Sequence, residues 1–154
     1  MIKLERASPC SANSLLEDKK FLKNLSLYCK EHRDEPYSKD EIINIKRAFE
    51  ELIPPRSIED IVMKNFFGRR FPTWLGNATH FPSLKYLHLV DCKSCGHLPP
   101  IGHLPNLKYL KIGGASAVTK IGPEFVGYGA GNPIFAEEVV FPKLEVLIIE
   151  DMPN

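Results

Sequence analysis

The stretch Phe81-Pro82-Ser83-Leu84-Lys85-Tyr86-Leu87-His88-Leu89-Val90-Asp91-Cys92 decides how this chain folds. Its skeleton is Leu-x-x-Leu-x-Leu-x-x-Cys, and copies stand on both sides of it. Leu107-x-x-Leu110-x-Ile112-x-x-Ala115 and Leu144-x-x-Leu147-x-Ile149-x-x-Met152 follow; Leu22-x-x-Leu25-x-Leu27 and Ile58-x-x-Ile61-x-Met63 precede. Apolar and polar residues alternate through the middle of each copy, which is the period of a strand. One short strand cannot bury its apolar side alone, whereas stacked copies build a continuous core. The recurrence therefore predicts a solenoid of parallel strands centred near Leu25, Ile61, Leu87, Leu110 and Leu147.

The spacing of those centres is uneven, closest between Leu87 and Leu110, so the loops behind the sheet are expected to be irregular. Ile2 to Glu5 reads as the tail of one further strand. Ser38 to Ile53 is the one long helical pattern, with a helix over about 39–53. Ser38-x-x-Glu41 is a capping box, in which hydroxyl and carboxylate satisfy amides that the first turn leaves unpaired. Ile42, Ile45, Phe49 and Leu52 follow at helical spacing, and Pro54-Pro55 stops the helix. A helix between two parallel strands belongs on the outer side of the sheet. Phe71-Pro72-Thr73-Trp74-Leu75 reads as a buried return segment with Trp74 in the outer core. Residues 30–38, charged and holding Pro36, are expected to be an exposed, mobile loop. Residues 113–140 carry six of the ten glycines and read as an insertion, with Gly127 to Glu138 as its least ordered part.

The 154 residues are 44% hydrophobic and 25% charged, enough apolar residues for one globular domain over 1–154 with an ordinary core. A formal charge of +1 gives no support to nucleic-acid or anionic-membrane binding as the main activity. No apolar run approaches a membrane span. With no polar capping repeat at either end, the array is expected to be truncated at both ends. Four cysteines make no dense disulfide framework, which fits a reducing compartment and a cytoplasmic setting.

Motifs that carry chemistry are sparse. Cys92-Lys-Ser-Cys95-Gly-His97, with His103 beyond, is the one metal-like cluster, since Cys-x-x-Cys is a common half of a zinc site. The structural reading is stronger: Cys92 stands where the chain turns out of a strand, and both histidines precede Leu-Pro in a turn. Gly113 to Lys120 lacks the glycine a phosphate loop needs before its lysine. No nucleophile elbow and no His-Glu-x-x-His helix is present. The expectation is a protein with no catalytic, cofactor-binding or metal-binding residues.

The sheet carries the functional argument. Side chains alternate across a strand, so with Leu84, Leu87 and Leu89 inward, Tyr86, His88 and Val90 face out. The same register exposes Asn24, Ser26 and Tyr28, then Asp60, Val62 and Lys64, then Tyr109 and Lys111, then Val146, Ile148 and Glu150. Adjacent tyrosines with Val and Ile, bordered by charge, have the composition of a protein-binding surface. The candidate partner-binding residues are Asp60, Val62, Lys64, Tyr86, His88, Tyr109, Lys111, Val146, Ile148 and Glu150, on the concave face.

The repeat skeleton is similar to the leucine-rich repeat, an α/β solenoid of one curved parallel sheet with irregular convex loops. More specifically, the chain resembles the leucine-rich-repeat region of plant coiled-coil nucleotide-binding disease-resistance proteins, which are intracellular immune receptors. The resemblance lies in Gly68-Arg-Arg-Phe-Pro-Thr-Trp-Leu75, Leu84-Lys-Tyr-Leu-His-Leu-Val-Asp-Cys92 and Leu98-Pro-Pro-Ile-Gly-His-Leu-Pro-Asn-Leu-Lys-Tyr-Leu110. It continues through Ile121-Gly-Pro-Glu-Phe125, Phe141-Pro-Lys-Leu-Glu-Val-Leu147 and Glu150-Asp-Met-Pro153. It implies a recognition or autoinhibition module, with a pathogen effector, a host guardee or the receptor's own nucleotide-binding module as protein partner. ADP or ATP would belong to that nucleotide-binding module, which this chain does not contain. The alternatives are the substrate-recognition repeat of a ubiquitin ligase and a zinc site at Cys92 and Cys95.

Overall fold

The computed structural model describes residues 2–4 (as backbone), 16–30, 36–127 and 139–153. Six parallel strands lie side by side in chain order: β1 (Ile2–Leu4), β2 (Asn24–Cys29), β3 (Asp60–Lys64), β4 (Tyr86–Val90), β5 (Tyr109–Gly113) and β6 (Val146–Glu150). Register is uniform. Leu25 pairs with Ile61, Ile61 with Leu87, Leu87 with Leu110 and Leu110 with Leu147, so all five expected centres share one row. Alternation then turns Leu25, Leu27, Ile61, Met63, Leu87, Leu89, Leu110 and Ile112 into the core, each almost wholly buried.

The strands begin as regularly as they pair. The Lys23 carbonyl accepts from the amides of Glu59 and Asp60, that of Glu59 from Lys85 and Tyr86, and that of Lys85 from Lys108 and Tyr109. The Lys108 carbonyl accepts in turn from Glu145 and Val146. Side chains tie the same rows together just before the strands: Ser57 Oγ donates to the Leu22 carbonyl, and Asn106 Nδ2 to that of Pro82.

Each strand from β3 onward leaves the sheet through one left-handed residue: Asn65, Asp91, Gly114 and Asp151, with φ of 56°, 54°, 63° and 51°. Asn and Asp tolerate this region because their short polar side chains bond locally, and glycine because it has no Cβ. A Cβ on Gly114 would also come within 2.6 Å of the Asp91 carboxylate. The turn directs the next residue inward, so Phe66, Cys92 and Ala115 are buried.

Helix α1 (Lys39–Glu51) joins β2 to β3. Ser38 accepts from the Glu41 amide and Glu41 from the Ser38 amide, completing the capping box. Ile45, Phe49 and Leu52 are buried, while Ile42 is half-buried. The helix ends at Glu51, two residues before the expected stop. Leu52 leaves helical geometry, and Ile53 precedes a proline whose ring disfavours the α conformation. Trp74 occupies a short 3-10 turn (Thr73–Gly76), is buried, and donates its indole N–H to the Phe49 carbonyl at 2.7 Å. Glu50 accepts from the backbone and hydroxyl of Thr73, so α1 is fastened to the following outer segment by both polar and aromatic contacts.

A second 3-10 turn (Pro123–Val126) lies within the expected insertion and is anchored by buried Phe125, whose ring lies 5.5 Å from that of Phe141. Residues 128–138, most of the segment expected to be least ordered, lie outside the described residues, as do 31–35 of the expected mobile loop. Tyr37, in the last part of that loop, stacks on Phe67 at 3.6 Å between ring centroids. On β6 the inward-facing Leu147 and Ile149 are 51% and 41% exposed, unlike every equivalent residue on β2 to β5.

Candidate functional site

The face opposite the core carries three rows of side chains, one for each outward position. Asn24, Asp60, Tyr86, Tyr109 and Val146 form the first; Ser26, Val62, His88, Lys111 and Ile148 form the second. Tyr28, Lys64, Val90, Gly113 and Glu150 make the third. All ten candidate partner-binding residues are therefore brought onto one face.

Its centre is aromatic. The rings of Tyr86 and Tyr109 lie 6.4 Å apart in a tilted pair, and His88 stacks on Tyr109 at 5.0 Å. Offset contacts of this kind are the arrangement aromatic pairs prefer. Tyr86 is 43% exposed and Val146 41%, so the apolar strip reaches solvent. Beside them, Asp60 Oδ1 is buried and has no hydrogen-bond partner among the described residues.

The charged members of the set are less free than their exposure implies. Lys111 Nζ and Glu150 Oε1 pair at 2.6 Å, and this hydrogen bond holds the Lys111 ammonium above the usual lysine range. Lys64 stands 3.9 Å from Asp91. Along the edge where the strands begin, Glu59 bridges Lys23 at 2.9 Å and Lys85 at 2.7 Å. Hydrogen bonds from these two lysines, Lys23 first, hold its carboxyl down to about 2. Lys108 and Glu145 repeat the motif at 2.8 Å. The face thus consists of an aromatic and apolar strip flanked by internally neutralised ion pairs.

Both cysteines of the metal-like cluster pack between repeats. Cys95 is buried, and its thiol donates to the Gly68 carbonyl at 3.0 Å. The Cys92 thiol faces the carbonyls of Val90 and Met63 at 3.6 and 3.9 Å. Burial pushes the Cys92 thiol up to about 12 and that of Cys95 higher still. These thiols close backbone acceptors between repeats. Among the described residues no group of three or more His, Cys, Asp or Glu side chains is arranged to hold a metal ion.

Two features of this face escape a reading by period alone. The row Lys23, Glu59, Lys85, Lys108, Glu145 brings each carboxylate beside a lysine only once the strands are laid side by side, and its signal is the charged residue just before each strand. The left-handed row Asn65, Asp91, Gly114, Asp151 carries a plainer signal, a turn-forming residue at the same offset from each centre from Ile61 onward.

Comparison with known proteins agrees with this geometry. The family model of R13L1/DRL21 leucine-rich repeats matches residues 3–115. The disease resistance RPP13-like protein 1 of Arabidopsis thaliana is 34% identical over 112 residues, covering 72% of this chain and 10% of that protein. The disease resistance protein RGA4 of Solanum bulbocastanum is 28% identical over 147 residues, covering 95% of this chain and 14% of its own length. The chain thus spans about a tenth of the length of such curated relatives. No solved structure matches it. Matched over most of its length and built as one row of stacked strands, this chain belongs to the R13L1/DRL21 family of leucine-rich repeats, the repeat type found in plant disease-resistance proteins.

Proposed function

We propose that the chain is a protein-recognition module of an intracellular plant immune receptor, and that it binds through the face opposite its core. The observation that carries this reading is the aromatic cluster of exposed Tyr86 with half-buried Tyr109 and His88 at the centre of a uniform parallel sheet. Aromatic anchors surrounded by polar residues supply most of the free energy of typical protein interfaces. The partner is a protein: a pathogen effector, a host protein under surveillance, or the receptor's own nucleotide-binding module. The relatives' description as disease resistance proteins supports that choice. The module acts by binding, without catalysis and without a cofactor of its own; ADP or ATP belongs to the nucleotide-binding module. The setting is cytoplasmic. No helix among the described residues is long and apolar enough to cross a membrane.

The test is calorimetric titration of the chain with purified nucleotide-binding module and with candidate effectors, alongside a Tyr86→Ala/Tyr109→Ala double variant. A partner engaging this face should lose about 100-fold or more in affinity, as expected for two anchors. Circular dichroism should be unchanged, since neither ring belongs to the core. A partner bound equally well by both forms would move the binding site elsewhere.

A further inference from the structure

The outer side of the molecule carries a second surface that the aromatic face does not use. Lys39, Ile42, Ile43 and Lys46 fall at i, i+3, i+4 and i+7 along α1, which places them in one stripe of the helix. That stripe meets Arg69 and Arg70 across a groove of about 420 Å³, within the range of ligand-binding clefts. Its floor is apolar: Ile43 is 54% exposed, an unusual position for a large aliphatic side chain on a helix whose other face already fills the core. Its rim is cationic. Lys39, Lys46, Arg69 and Arg70 are all exposed, and none forms an ion pair with a described residue. No carboxylate is among the described residues lining the groove. This contrasts with the strand side of the molecule, where Glu59, Glu145 and Glu150 neutralise the neighbouring lysines. In a chain of net charge +1, four cations around one aliphatic floor, without an ion-pair partner among the described residues, form a local concentration of positive charge.

We propose that this groove docks an acidic, leucine- or phenylalanine-bearing segment of a partner protein. Both halves of the site are needed to choose that occupant. Cations alone would serve any polyanion, but an aliphatic floor offers nothing to a phosphate backbone. Two isoleucines flanked by four charged side chains give little area for insertion into a lipid bilayer. An amphipathic segment places apolar side chains on the isoleucines at i and i+3 or i+4 and leaves its carboxylates to meet the rim. Each arginine presents a planar fork that fits a carboxylate in two parallel hydrogen bonds.

Two synthetic helical peptides of about 15 residues, matched in charge, test the assignment by fluorescence anisotropy on the full chain. One carries glutamates around a Leu-x-x-Phe core; the other has serine in place of Leu and Phe. Only the first should bind. Arg69→Gln/Arg70→Gln and Ile43→Ser should each weaken it by about tenfold or more, and raising the salt concentration should weaken it further. Tyr86→Ala/Tyr109→Ala should leave it unchanged, which separates this groove from the aromatic face. Ile43 and both arginines are exposed, so their replacement should not unfold the chain, and circular dichroism checks this. Equal binding of both peptides, no binding of either, or affinity unaltered in both groove variants would overturn the proposal. So would binding of anionic vesicles or duplex DNA with the same variant sensitivity while the acidic peptide fails.

Discussion

Leu110 and Leu147 hold the same place in neighbouring repeats, paired directly across β5 and β6, yet one is wholly buried and the other is 51% exposed. Truncating each to alanine therefore compares the same chemistry under two degrees of cover. At Leu110 the substitution removes a fully buried side chain and leaves a cavity in a continuous core, at a cost of about 2–5 kcal/mol. At Leu147 about half of the side chain is in water already. Full burial of a leucine is worth about 1.5–3 kcal/mol, so the loss at Leu147 should be near 1 kcal/mol, with little cavity term because solvent fills the space. Because repeat arrays are stabilised by nearest neighbours, the Leu147 change should be felt mainly as fraying of β6. Urea unfolding followed by circular dichroism gives both values, and native-state hydrogen exchange reads the fraying directly. An equal cost at the two positions would refute the reasoning, because it would mean that the inward face of β6 is covered as fully as that of β5.

Two further predictions concern ionisation and thiol chemistry. Glu59 has a folded-state carboxyl depressed to about 2 from an ordinary 4.5, so its pairing with Lys23 and Lys85 adds stability that is complete above about 4.5. That stability is lost as pH falls toward 2, because the unfolded state then takes up the proton first. Carbon-detected NMR titration should find the depressed value, moving back toward 4.5 at high salt, and Glu59→Gln should flatten this part of the stability profile. A midpoint near 4.5 at low salt would show that the bridge does not persist in solution. Cys29, Cys92 and Cys95 are buried with thiols displaced upward, so they should stay protonated through pH 9 and react with an aromatic disulfide reagent only on unfolding. Rapid labelling of Cys95 in the native chain would contradict its bond to the Gly68 carbonyl.

Much of the molecule was determined by its sequence alone. A period of two decides which side of a strand each residue faces, so the apolar skeleton around Leu87 places Tyr86 and His88 on the opposite side. Copies of one skeleton stack in register, so Tyr86 must lie beside Tyr109 and His88 beside Lys111, as observed. The helix, its Ser38 cap and the buried return at Trp74 likewise follow from local spacing. What local spacing does not contain is lateral information: which charge meets which, and what covers a given residue. The Lys111–Glu150 and Lys23–Glu59–Lys85 pairs join residues tens of positions apart, and they neutralise side chains that read singly as available for a partner. The exposure of Leu147 and Ile149 was equally hidden, because an inward-facing position is buried only when another segment lies over it. The groove between α1 and Arg69–Arg70 is of the same kind. Its two walls are separate in the chain and become one surface only when the helix packs its opposite stripe, Ile45 and Phe49, into the core.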